Sequence, residues 1–237
     1  WLDLFNLPHK VQQKIAGWPQ HSLITRSALE QQTDEQLPTL NSQQKARILE
    51  AAALTAYYEQ TTMPIVTILQ TDDAPQFQQV TQLQNLCWIH DGRHYKKLTP
   101  FVDFHRQLLD AFLKRYWDFY HQLLAYRQAP HPDQAHALCL SFDELFTTVT
   151  GYAELDQRIA KTLAKKDKLL LVLDYPQLLL HNNPAELAAR QRVRKRDSSF
   201  GPRTDAGREA WDTFMTIFET AKKLDVNFFD YLYDRVS

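Results

Sequence analysis

Cysteine is scarce. Cys87 and Cys139 are the two in 237 residues, and they lie far apart. The chain therefore does not read as a disulfide scaffold, and a reducing compartment fits it. Glycine is equally scarce, with 5 residues, while leucine and glutamine recur throughout, which favours helix. No apolar run reaches the roughly 20 residues of a membrane span. The first residue is Trp1 rather than Met, and no signal-peptide pattern follows it, so the chain is expected to be a piece or processed form of something longer. The net charge of −1 provides no global field that would draw nucleic acid, so any such binding must come from a local patch. There is no glycine-rich phosphate loop, no G-x-S-x-G, no H-E-x-x-H and no internal repeat. With 44% hydrophobic and 23% charged residues, the composition is that of a globular protein.

What is present reads mostly as helix. "LPHKVQQKIAGW" is a short amphipathic stretch. "LNSQQKARILEAAALTAYYEQ" can be capped by Ser42 and carries a stripe of Ile48, Ala51, Ala52 and Tyr58. Residues 63–70, "MPIVTILQ", are β-branched and form the best strand. They lead into a turn and a helix over "TDDAPQFQQVTQLQ", and residues 85–90, "NLCWIH", are a second strand. From Pro100 to Gln128 the residues Leu108, Leu109, Phe112, Tyr116, Tyr120, Leu123 and Leu124 recur at helical spacing. Pro130 and Pro132 break that helix. Further helices cover "DQAHALCLSFDELF", "AELDQRIAKTLAKKDKLLLVL" and "REAWDTFMTIFETAKKL", with a tail "NFFDYLYDRV". Two strands make no independent sheet of useful size, so their neighbours are expected to be missing or to come from elsewhere.

Two acidic positions attract attention. In "TDDAPQF", Asp73 with Gln76 three residues on and Pro75 between them matches a capping box. That leaves Asp72, just past the end of a strand, for chemistry. In "HNNPAE", Asn183 can cap a helix with Pro184 at its first position and Glu186 at its third. Glu186 could also pair with Arg190 one turn on. Behind it, Arg190, Arg192, Arg194, Lys195 and Arg196 fall within seven residues, with Arg203 shortly after. Such a run is either a solvated face or a surface whose mutual repulsion a polyanion relieves. "LCWIHDGRHYKK" holds Cys87 and His90, half of a zinc site at most. The plainer reading, a buried thiol and a hydrogen-bonded imidazole, is favoured.

The order of these elements is more specific than any one of them. "ILQTDDAPQF", "LCWIHDGRHYKKL", a helical insertion, "HNNPAELAARQRVRKR" and "ETAKKLDVNFFDYLYDRV" together resemble the C-terminal portion of a DDE-type transposase of bacterial insertion sequences. The branch resembled is the one with C-W-x-H and H-N-N-x-A-E motifs. The resemblance implies a predominantly α chain with a small β element: a ribonuclease H-like core, here incomplete, carrying large helical insertions. Its segments would be 1–60 (helical, ahead of the core), 61–100 (core strands with the second acid), 101–177 (helical insertion) and 178–237 (the helix carrying Glu186 and a helical tail). It implies Asp72 and Glu186 as the second and third catalytic acids and metal ligands, with Asp73 as a substitute for Asp72. It implies two Mg²⁺ or Mn²⁺ ions in the complete enzyme. It implies DNA, both transposon ends and target, as partner, held by Arg190, Arg192, Arg194, Lys195, Arg196 and Arg203. A cytoplasmic, nucleoid-associated protein, homo-oligomeric and away from membranes, is implied as well. The first acid of that family belongs to an earlier strand. Upstream of Asp72 stand only Asp3 and Asp34, neither after a convincing strand, so this chain alone is expected to be inactive. The alternative is a non-catalytic, helix-rich nucleic-acid-binding or regulatory remnant.

Overall fold

Helix dominates. The computed structural model describes residues 1–19 and 24–237, and of residues 76 and 188 the backbone alone. The described chain forms two compact units, residues 1–86 with 166–171, and residues 87–165 with 172–237.

In the first unit, helices α1 (His9–Ala16), α2 (Arg26–Gln36) and α3 (Ser42–Glu59) precede strand β1 (Ile68–Thr71) and strand β2 (Leu83–Leu86). Asn41 begins α3 with a complete capping box, its side chain accepting from Gln44 N while the Gln44 side chain accepts from Asn41 N. The cap is thus Asn41, one residue ahead of the expected Ser42, which opens the helix. Leu7, Val11, Leu37 and Ile48 form a small core under these helices. The two strands are parallel, with Thr71 opposite Leu86, so both end at the same sheet edge. The strand expected over 63–70 is confined to its second half and Thr71. The expected helix after it is a single 3₁₀ turn at Pro75–Phe77.

The second expected strand, 85–90, is corrected more sharply. Strand β2 stops at Leu86, and Trp88–Tyr95 form helix α4. The buried positions are Trp88, Asp91, Gly92 and Tyr95, which is a helical period. Trp88 is fully buried among Tyr116, Phe119, Phe142 and Phe146, with ring centroids 5.5–6.3 Å away. These partners come from α5 (Asp103–Gln128) and α6 (Pro132–Phe146), the long insertion helices. Gly92 permits the close approach of α4 to α5: a Cβ there would stand 2.9 Å from the Trp117 ring.

Helix α7 (Ala153–Leu163) continues the second unit. Its Arg158 and Thr162 meet Asp91 and Tyr95 of α4 in a buried polar cluster. The expected single helix through residue 173 instead divides into α7, a short α8 (Lys166–Leu169) and a 3₁₀ turn at Leu171–Leu173. α8 returns to the first unit, where Lys168 Nζ donates to Gln84 Oε1 of β2 at 2.7 Å. Helices α9 (Asn183–Ser199), α10 (Asp205–Lys223) and α11 (Phe228–Val236) complete the chain. Phe200, left-handed at φ 58°, ends α9, and Gly201 at φ 68° turns the chain toward α10. No helix among the described residues is long and apolar enough to cross a membrane.

Candidate active site

The two motifs that carried the resemblance meet within the second unit. Trp88 N donates to Leu180 O at 3.0 Å, which ties the start of α4 to the segment entering α9. Cys87 opens α4 and is 2% exposed. Burial pushes its thiol above the ordinary range, although the backbone N–H groups of His90, Asn182 and Ile89 pull the other way; the nearby Glu186 adds to the rise. Cys87 is thus a protonated structural thiol in contact with both motifs.

Glu186 does not act as a helix cap. The N-cap of α9 is Asn182, not Asn183, and it makes no side-chain cap bond. Glu186 therefore sits one position deeper than a capping box requires, its N–H already donating to Asn182 O at 3.1 Å. Its carboxylate instead turns toward α4. His90 Nε2 lies 3.7 Å from Oε1, and Arg93 Nη2 lies 4.0 Å from Oε2. Arg93 Nη1 and His90 Nε2 are 3.0 Å apart. The expected ion pair with Arg190 is replaced by these contacts across helices. Oε1 is buried without a hydrogen-bond partner, as is His90 Nδ1. A buried carboxylate oxygen left unpaired costs about 1–3 kcal/mol or more, so it demands an explanation.

Asp72 lies in the first unit, exposed, immediately after β1. Its Oδ1 accepts from Ala74 N at 3.3 Å, while Asp73 N donates to Thr71 Oγ1 at 2.9 Å. The expected cap at Asp73 is not formed: the 3₁₀ turn starts from Ala74 without a side-chain bond, and Asp73 is left-handed at φ 71°. The Gln76 side chain of that expected cap lies outside the described residues. Asp34 lies inside α2, not in a loop, paired with Lys45; Asp3 lies in the N-terminal turns. Neither follows a strand.

The basic run is helical and solvent-facing. Arg190, Arg192, Arg194, Lys195, Arg196 and Arg203 are all exposed. Part of the expected repulsion is relieved internally: Arg192 pairs with Asp212 of α10 at 2.6 Å, and Arg196 with Asp197 at 3.6 Å. Lys195 Nζ reaches Met215 Sδ at 3.7 Å. Among the described residues, Arg190, Arg194 and Arg203 form no ion pair.

Among the described residues, no group of three or more His, Cys, Asp or Glu is gathered to hold a metal. One donor nevertheless suits a divalent ion: the hard, unpaired Oε1 of Glu186. His90 and Arg93 as partners of Glu186 escaped the sequence reading. The signal was the helical period of Trp88, Asp91, Gly92 and Tyr95, which places His90 and Arg93 together on another face of α4.

Residues 51–210 match the family described as Transposase IS66 family, and the chain belongs to that family. The matched span contains both Asp72 and Glu186. The chain is also similar to a protein described as Uncharacterized protein y4jO from Sinorhizobium fredii (strain NBRC 101917 / NGR234), 36% identical over 170 residues, covering 72% of this chain and 52% of that protein. The chain thus spans about half the length of that curated relative. No solved structure matches.

Proposed function

We propose that the chain is the portion of a DDE-type DNA transposase that carries the second and third catalytic acids, Asp72 and Glu186. It serves metal-dependent strand cleavage and transfer for an insertion sequence. In this reading β1 and β2 belong to a ribonuclease H-like core, and α5 to α7 form its helical insertion. Asp72 and Glu186 are the residues whose carboxylates would hold divalent ions, Mg²⁺ or Mn²⁺. Two such ions, when bound, stabilise the attacking and leaving oxygens of an in-line phosphodiester displacement. The observation that carries the reading is Glu186, whose Oε1 is buried and unpaired although the local sequence offered it a cap and an ion pair.

DNA is the partner, and the exposed face of α9 is where its backbone lies. Among the described residues Arg190, Arg194 and Arg203 make no ion pair; Arg192, Lys195 and Arg196 flank them. Each phosphate neutralised adds to the salt dependence of binding. The active enzyme works as a homo-oligomer. The chain by itself, without a first acid on a preceding strand, is inactive.

The non-catalytic alternative, a nucleic-acid-binding remnant, is favoured by one observation: no cluster of three metal-binding side chains exists among the described residues. The two readings separate in a transposition assay of a marked element, driven by a protein that includes this chain. Glu186→Gln and Asp72→Asn should each reduce transposition to background while salt-dependent DNA binding survives. Unchanged transposition in either variant would refute the assignment. Background transposition by the unsubstituted protein, with DNA binding intact, would establish the remnant.

A further inference from the structure

Glu186 is held by a histidine and an arginine whose geometry is informative. A guanidinium can only donate hydrogen bonds. Arg93 Nη1 stands 3.0 Å from His90 Nε2, so Nε2 is the acceptor and its lone pair faces the guanidinium. The same Nε2 stands 3.7 Å from Glu186 Oε1, which is itself an acceptor. Two electron-pair donors from different helices, an imidazole nitrogen and a carboxylate oxygen, therefore stand 3.7 Å apart beside one guanidinium. That arrangement is repulsive unless a cation is shared. Arg93 supplies that charge loosely: its Nη2 is 4.0 Å from Oε2, and its side chain is 51% exposed. A delocalised guanidinium at that distance leaves Oε1 without a partner.

We infer that His90 Nε2 is a second protein ligand of the divalent ion that Glu186 binds, and that Arg93 competes with that ion for the same two donors. The inference rests on the reading of Glu186 as a metal ligand and extends it. An imidazole nitrogen beside a carboxylate favours a transition-metal ion over Mg²⁺, which takes oxygen ligands; Mn²⁺ is the spectroscopically visible probe of such a site. Arg93, displaced to the solvent side, is free to meet a phosphate. Both residues lie on α4, whose position is fixed by the buried Trp88 and by the Trp88 N to Leu180 O bond, so the pairing is built into the fold.

The test uses Mn²⁺ and the 237-residue chain, with helix content followed by circular dichroism. Bound Mn²⁺ is counted by its electron paramagnetic resonance signal, and electron spin echo modulation reads any coordinated imidazole nitrogen. The expected result is ¹⁴N modulation that disappears in His90→Gln, with affinity about tenfold or more weaker. Arg93→Gln should tighten Mn²⁺ binding, which a merely structural arginine would not do. Modulation that is absent, or that persists in His90→Gln, overturns the inference, as does unchanged or weakened binding in Arg93→Gln. Glu186→Gln separates the two levels. If it releases the ion but no nitrogen coupling exists in the unsubstituted chain, only the role of His90 fails. If Mn²⁺ stays bound in Glu186→Gln, the metal role of Glu186 fails and the inference falls with it.

Discussion

Asp91 lies in the same motif as His90, yet the structure gives it work of another kind. It is 6% exposed and accepts hydrogen bonds from Arg158 Nη2, from Thr162 Oγ1 at 2.9 Å and from Tyr116 OH at 3.3 Å. Because the Thr162 hydroxyl donates to Asp91, Tyr95 OH must donate to Thr162 Oγ1, at 2.6 Å. The Tyr95 and Tyr116 phenols are both raised, by burial first and by Asp91 second, so they stay protonated and keep donating. Removing Asp91 strands a guanidinium that is 11% exposed. Breaking such a buried pair costs about 3–5 kcal/mol. With a urea m-value of about 2–3 kcal/mol/M, the unfolding midpoint of Asp91→Ala should fall by roughly 1–2 M. Arg158→Ala should cost a similar amount, and the double variant little more than either. The cycle should thus yield a coupling nearly as large as either single cost, roughly 3–5 kcal/mol. Urea titration followed by circular dichroism measures all four corners. Glu186→Gln provides the contrast, a destabilisation of no more than about 0.5 kcal/mol, because no cap or hydrogen bond to its side chain is lost. Additive costs for Asp91 and Arg158, or a Glu186→Gln cost as large as that of Asp91→Ala, would refute the division of these carboxylates into structural and functional.

Other outcomes follow from single sites. Asp156 precedes the body of α7; partial burial raises its carboxyl, but hydrogen bonds from Thr150 Oγ1, Thr150 N and Gly151 N outweigh that and hold it below the ordinary range. Its stabilisation is therefore present above the unfolded carboxyl pKa and is lost as pH falls through the folded value; Asp156→Asn should remove that acid-side dependence and cost about 1–2 kcal/mol at pH 7, read from urea midpoints at several pH values. Cys87, buried with its thiol raised, should resist iodoacetamide in the native protein while the partly exposed Cys139 reacts, and both should react in urea; mass spectrometry of the digested chain counts the labels. Trp88→Ala should cost about 3–5 kcal/mol in urea unfolding, since it empties the centre of five packed rings.

The helices of the insertion were legible because their apolar residues repeat without interruption. Phe112, Tyr116, Phe119, Leu123 and Tyr126 are all buried on α5, as that spacing dictates. α4 was misread because its buried face includes Asp91 and Gly92, which no hydropathy pattern marks as interior. Asp91 can be inside only because Arg158 and Thr162, far along the chain, reach it. β1 was placed nearly correctly, whereas the second expected strand shares only Asn85 and Leu86 with β2, and the parallel pairing of the two depends on contacts that short apolar runs do not encode. At the candidate site, Asp72 and Glu186 were singled out from their places after a strand and at a helix start, and the resemblance supplied their expected roles, whereas their local bonding was not legible. The start of α9 at Asn183 rather than Pro184 changes which residue caps it and takes Glu186 out of the box. One residue of register, below what capping rules resolve, decides whether that carboxylate serves its own helix.

Gly92 stands two residues beyond His90, with the rim of the Trp117 indole against its bare α-carbon. The depth at which the imidazole is seated is consequently governed by a missing methyl group. Lineages that accept alanine there would have to move a tryptophan on a 26-residue helix or lift the motif helix away. Either adjustment displaces an imidazole that never touches the altered position. A survey of natural variation confined to residues around the acidic centre would overlook this constraint, which is written in the smallest side chain of the motif.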